Sequence, residues 1–357
     1  MRYKLLGRSG LRVSELCLGA MAFGEDWGWG APKEETGRII DAFAEAGGNF
    51  IDTADNYTNG TSERYTGELI ANERDWWVLA TKYTLSMDPS DPNGGGNHRK
   101  SLVRALDGSL KRLGTDRVDL LWVHIWDFVT PAEEVMRALD DQVRAGKVLY
   151  VGISDTPAWM VSKANILAEL RGWTPFVALQ LQYSLIERSI EREFLPMARN
   201  LDLATTAWSP LGFGMLTGKY QRGMTPSEDH GRLGHAGIGP MFLNDRNFDI
   251  AETVQQVAAE VGATSAQVAL AWLLSRPGIV IPIVGARRES QIRDNLGVLD
   301  IELTDDQLGR LDEVSKIDLG FPHEFIKSPG TRELAFGNSY SLLDDHRADR
   351  SGRPVGM

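Results

Sequence analysis

A closed (β/α)8 barrel of the TIM type is the fold this sequence predicts, on three observations. Eight short apolar runs rich in Val, Ile and Leu recur along the chain. Each is separated from the next by a longer segment of helical spacing, the pattern of parallel strands buried on both faces and joined by crossover helices. The chain has 357 residues, 42% of them hydrophobic, enough to enclose such a core in one domain, 1–357.

The elements follow in order. "RYKLLGRSGLRVSEL" reads as a hairpin turning at Gly7 to Gly10, ahead of the barrel. The eight runs are "ELCLGAM", "NFIDTA", "WVLATKY", "VDLLWVHI", "VLYVGIS", "VALQLQYS", "LATTAWSP" and "IVIPIVG". Between them, Ser62 with Glu63 supplies a cap and a favourable charge at one helix start. Thr130-Pro131-Ala132-Glu133 reads as a capping box with proline at the first helical position, before the stripe Val135, Met136, Leu139 and Val143. Gly146 ends that helix. The box recurs as Thr264 with Gln267 and as Thr304 with Gln307. After the seventh run, residues 217–248 are Gly-rich, contain proline and show no clear period, so a functional or disordered loop is expected there. The tail 318–357 is likewise expected to be irregular.

The charge is −11 and no basic block interrupts it, which argues against nucleic-acid and anionic-membrane partners. Cys17 is the only cysteine, so an internal disulfide and a thiolate metal cluster are both excluded. The apolar stretch Leu16 to Phe23 is short and follows Glu15, unlike a signal peptide. No segment approaches the roughly 20 apolar residues that span a bilayer. A cytoplasmic protein is expected, with a homo-oligomer left open.

One motif competes with the barrel. Gly28-Trp29-Gly30, followed by Asp52 at the end of the next run, nearly matches the dinucleotide fingerprint of a doubly wound fold. Lys33 stands where the third glycine should permit close helix-to-strand packing. A loop carrying two tryptophans is the better reading.

In a barrel, residues at the C-terminal ends of the strands meet around one cavity. The second run ends at Asp52 and delivers Tyr57, the third ends with Lys82, and the fourth with His124. Free tyrosine and lysine titrate near 10, too high for proton transfer at neutral pH. A Lys82 cation beside Tyr57 would favour the phenolate and make the phenol a competent acid. Asp52 would hold Lys82, and His124 would hydrogen-bond a substrate carbonyl oxygen. Each residue alone has an ordinary structural explanation. Together, at the ends of otherwise apolar strands where unpaired charge is costly, they protonate an oxygen while its carbon is attacked.

"FIDTADNYTNGTSE", "LATKY", "VHIWD", "GKVLYVGIS", "LQYSLIER", "WSPLGFGMLTGKY" and "IPIVGARRESQIRDNLGVLDIELT" occur in this order. On these motifs the chain, from about Leu5 to Ile317, closely resembles the aldo-keto reductase family. The resemblance implies that Asp52, Tyr57, Lys82 and His124 are a catalytic tetrad with Tyr57 as general acid. It also implies a nicotinamide cofactor, NADPH, lying across the barrel mouth. Ser154, Asp155 and Gln180 match the carboxamide site and Trp208 the aromatic that stacks on the ring. Ser209, Leu211, Gly212 and Gly214 match the pyrophosphate loop, and Gly285, Arg288, Gln291 and Asn295 the adenosine end.

Three positions depart from the family pattern. Asp155 stands where many members have asparagine, and a carboxylate accepts from the carboxamide nitrogen without donating to its oxygen. Trp208 replaces a commoner tyrosine. Gln291 replaces an arginine that often reads the 2′-phosphate, leaving Arg287 or Arg288 for that role.

Phe23, Trp27, Trp29, Trp126 and Phe128 read equally as an apolar pocket wall or as ordinary loop packing; a wall would suit aromatic or aliphatic aldehydes and ketones better than bare sugars. Tail residues Phe321 and Phe325 are expected to close it, and 217–248 to fold over the pyrophosphate as a lid. The expected partner is a small carbonyl substrate. A second reading is a regulatory nucleotide-binding subunit, since some proteins of this family attach to ion channels. No extended basic arm supports it here.

Overall fold

The protein, described by a computed structural model, is defined over residues 1–224 and 239–344. Strands β1 (Tyr3–Leu5) and β2 (Arg12–Ser14) form the expected antiparallel hairpin. The remaining strands are β3 (Cys17–Gly19), β4 (Phe50–Asp52), β5 (Val78–Tyr83), β6 (Val118–Val123), β7 (Val148–Ser154), β8 (Phe176–Gln182), β9 (Ala204–Trp208) and β10 (Val280–Gly285). They close into an all-parallel barrel in which β10 pairs with both β9 and β3. The doubly wound alternative is thereby overturned. Gly28 and Gly30 instead serve a turn at positive φ, 77° and 139°, where a Cβ on Gly30 would stand 1.9 Å from the Gly24 carbonyl oxygen.

Strand periodicity decides what lies inside. Cys17, Phe50, Val78, Ala80, Leu120, Trp122, Ala178, Ala204 and Ile281 fill the barrel interior, while alternate residues such as Leu18, Ile51, Leu79 and Leu121 pack outward under the helices. Leu6 and Val13 of the hairpin belong to the interior cluster. Gly7 permits that approach, since a Cβ there would lie 2.2 Å from the Val177 carbonyl oxygen. The hairpin thus seals one end of the barrel and leaves the strands' C-terminal ends as the mouth.

Helix starts follow the sequence in part. Thr264 and Thr304 form complete capping boxes with Gln267 and Gln307. The Thr130 box does not form: Pro131 is the cap residue of Ala132–Arg144, and the Thr130 hydroxyl bonds Asp127 instead, at 2.7 Å. Nor does Ser62 cap its helix. Thr61–Ile70 begins after Gly60, and the Thr58 hydroxyl accepts from the Ser62 amide at 3.0 Å.

The interval 217–248 lies partly outside the described residues. Within them, Gly239–Phe242 is a helical turn and the helix Asp245–Val261 starts inside the stretch read as aperiodic, capped by Asn244. The tail is also more ordered than expected, with helices His323–Lys327 and Pro329–Phe336. No single helix among the described residues is long and apolar enough to cross a membrane.

Gly152 on β7 faces Trp122 inside the barrel, and a Cβ there would meet the indole ring at 2.4 Å. Gly152→Ala should therefore overpack the core and cost about 1–3 kcal/mol in a denaturant melt. Little loss of stability would mean that Trp122 moves freely.

Candidate active site

Interior parity carries four strand ends to one place. Asp52 continues the inward face of Phe50, Lys82 that of Val78 and Ala80, His124 that of Leu120 and Trp122, and Gln180 that of Ala178. The Lys82 side chain is fully buried. Its Nζ donates to Asp52 Oδ2 at 2.5 Å, to the Thr53 carbonyl at 2.8 Å and to the Tyr57 hydroxyl at 3.1 Å. All three ammonium hydrogens therefore have acceptors. Burial lowers the pKa of Lys82, but the Asp52 carboxylate and Tyr57 oxygen outweigh it and hold the amine above the ordinary lysine range. Asp52 Oδ1 in turn accepts from Gln180 Nε2 at 3.1 Å.

Tyr57 opens a short 3₁₀ turn, Tyr57–Gly60, in which Thr58 and Asn59 lie at φ 44° and 53°. A β-branched residue is strained there. Thr58 is held by donating its hydroxyl to the Phe23 carbonyl at 2.6 Å. His124 packs edge-on to Tyr57, ring centroids 5.9 Å apart. Its Nδ1 is buried without a hydrogen-bond partner among the described residues. Burial, assisted by the Lys82 charge, depresses the imidazole pKa to about 3, so the ring is neutral at physiological pH.

The residues matched to a cofactor line the same mouth. Ser154 donates to the Gln180 carbonyl at 2.9 Å, and Trp208 Nε1 donates to Asp155 Oδ1 at 3.1 Å. The loop after β9 holds Ser209, Gly212, Phe213 and Gly214 at positive φ and includes Leu211. Phe213 sets an edge against Trp208 and packs on Phe242 from beyond 238. Gly285 ends β10, while Asn295 is buried in the helix Glu289–Leu296. Arg288 is the residue before that helix, and Gln291 Oε1 accepts from the Arg287 amide at 2.8 Å.

Lys219 was not picked out from the sequence. It lies against Gly214, where its Nζ would be 2.6 Å from an added Cβ. Burial, with Arg287 nearby, lowers its pKa. Neither cation forms an ion pair among the described residues, and two such cations beside a loop of left-handed residues fit an anionic group such as a phosphate. The only sequence signal was the lysine following Thr217-Gly218.

The proposed pocket wall is only partly formed. Trp27 packs edge-on to Tyr57 at 6.4 Å and against Trp29 at 5.7 Å. Phe23 is completely buried in the core and offers no surface to a substrate, and Trp126 is nearly so. Phe128 is 68% exposed. Phe321 and Phe325 pack on each other in the exposed tail rather than closing a pocket.

A family model described as Aldo/keto reductase family matches residues 15–316. Norsolorinic acid reductase of Aspergillus flavus is 38% identical over 332 residues, covering 90% of this chain and 83% of that protein. Norsolorinic acid reductase stcV of Emericella nidulans is 40% identical over 328 residues, covering 89% and 82%. An NADP(+) aryl-alcohol dehydrogenase of Phanerodontia chrysosporium is 38% identical over 336 residues, covering 88% and 86%.

Beneath Tyr57 lies a buried acid that sequence reasoning left without a role. Asp55 is 1% exposed and its Oδ1 lacks a partner. Glu63 nearby is bonded to Thr81 and to Arg112, each at 2.6 Å. Burial, reinforced by Glu63, pushes the Asp55 carboxyl up to about 7. A carboxyl raised above its unfolded value near 3.9 adds stability below that pH and loses it as pH rises through about 7. Asp55→Asn should therefore gain stability over the wild type as pH rises from 4 to 8, by on the order of 2–4 kcal/mol. Parallel denaturation curves at the two pH values would contradict this.

Proposed function

This chain belongs to the aldo-keto reductase family, and on that premise we propose that it reduces aldehydes and ketones, aromatic ones foremost, to alcohols with NADPH. One observation carries the reading: a fully buried ammonium, Lys82, bonded at once to a carboxylate and a phenol. A cation at 3.1 Å stabilises the phenolate and so eases proton loss from Tyr57. Asp52 and the Thr53 carbonyl keep that cation in place. His124, neutral and packed on Tyr57, supplies a hydrogen bond to the carbonyl oxygen without competing as an acid.

A bound nicotinamide supplies the hydride. For its binding, Lys219, Arg287 and Arg288 offer charge to the phosphates, the loop Ser209–Gly214 offers backbone, and Ser154, Asp155, Gln180 and Trp208 surround the ring end. Trp27 and Trp29 beside Tyr57 favour a flat apolar substrate. The reductase and aryl-alcohol dehydrogenase names of the relatives agree with this class.

Tyr57→Phe should lose nearly all turnover of NADPH with a panel of aromatic aldehydes, followed by cofactor absorbance, while still binding the cofactor. Undiminished rates would remove Tyr57 as the acid. Wild-type binding of NADPH without turnover of any carbonyl would instead favour a nucleotide-binding regulatory subunit.

Arg288→Ala should weaken NADPH roughly ten- to a hundredfold more than NADH, since only NADPH carries the 2′-phosphate; a charge-assisted bond of this kind contributes about 1.5–3 kcal/mol. Equal weakening of both would refute a phosphate role.

A further inference from the structure

We propose that Asp155 reads the charge of the nicotinamide ring, tightening the oxidised cofactor relative to the reduced one; this rests on the cofactor reading above. Asp155 follows β7 at φ +36°, a left-handed turn that directs the chain out of the barrel wall. Its amide still donates to the Gln180 carbonyl at 3.3 Å, which fixes its base to the strand beside it. From the end of β9, beyond β8, Trp208 Nε1 donates to Asp155 Oδ1.

The charge of this carboxylate is left without direct compensation. Asp52 has Lys82 at 2.5 Å, whereas no lysine or arginine forms an ion pair with Asp155 among the described residues. Partial burial raises the pKa of its carboxyl, and the Trp208 bond and, through space, Lys82 act against this. Asp155 is solvent-exposed, and the proposed cofactor site has the nicotinamide end beside it. An indole N–H satisfies one acceptor site and cancels no formal charge.

In carbonyl reduction the reduced ring gives two electrons and one hydrogen, as hydride, to the carbonyl carbon. The Tyr57 proton completes the alcohol, and the ring is left with one positive charge. A carboxylate beside the ring stabilises that charge only after transfer. Asparagine, which the family pattern leads one to expect here, would be indifferent to it. A unit charge pair about 6 Å apart alters an equilibrium roughly threefold in water-like surroundings and a hundredfold at an effective dielectric constant of about 20. Exposure at the mouth places the expected effect at roughly three- to tenfold. The phosphates are common to both forms of the cofactor, so their electrostatics cancel in the ratio of the two affinities.

The test is calorimetric titration of the full chain with NADP+ and with NADPH, separately and without substrate. Asp155→Asn keeps the shape, tolerates the left-handed backbone and retains an oxygen for Trp208. It should lower the preference for NADP+ over NADPH about three- to tenfold relative to the wild type. If the asparagine variant fails to fold, Asp155→Gly removes the charge at a position glycine occupies without strain. An unchanged ratio, or equal weakening of both forms, would overturn the proposal while leaving the cofactor reading intact. Wild-type protein that binds neither form would overturn both.

Discussion

The buried ion pair between Lys82 and Asp52 is the constraint around which the rest of the mouth is arranged. Two charges removed from water cost several kcal/mol each, and their mutual attraction offsets this only when the remaining hydrogen-bonding capacity is also filled. Here it is filled: Lys82 has three acceptors, and Asp52 has both oxygens engaged, by Lys82 and Gln180. Apolar residues of similar size would commonly serve stability as well or better. A barrel that places such a pair at the open end of its strands, under a tyrosine, does so at some expense to its core.

Barrel closure makes the arrangement geometrically available. Asp52, Lys82, His124 and Gln180 are far apart in sequence, yet each lies on the inward parity of its own strand. Closure then turns four independent alternations into one ring of side chains facing a common axis. The hairpin covers the opposite end with Leu6 and Val13. Trp122 fills the interior below His124 because Gly152 leaves room for its ring.

The features legible in the sequence were those fixed by local chemistry or strict period. Eight apolar runs, the Thr264 and Thr304 boxes and the strand-end acid, lysine and histidine all belong to this group. What sequence obscured depended on partners distant in the chain. Thr130 had the composition of a cap, but Asp127 accepts its hydroxyl instead. Ser62 was a plausible cap until the Ala20 carbonyl and Thr53 took its hydroxyl. Phe23 reads equally well as a pocket wall or as core, and only the packing around it decides. Lys219 acquires meaning from the folded loop that brings it near Arg287. The helix Asp245–Val261 was hidden because its polar first turn follows the glycine-rich stretch without a break in composition.

The same burial has opposite consequences for two neighbouring bases, and this difference gives the site its direction. Desolvation disfavours the cation at both Lys82 and His124. Lys82 has a carboxylate in contact and stays charged; His124 has no counter-ion among the described residues, feels the Lys82 charge as a repulsion, and stays neutral. The imidazolium, the usual proton source near neutral pH, is thereby removed from the site. Tyr57, 3.1 Å from the retained cation, is left as the group proposed above to give up the proton. Under the proposed function, a carbonyl oxygen arriving between Tyr57 and His124 would meet one hydrogen-bond donor and one acid, with their roles set by which of two buried bases was given a partner.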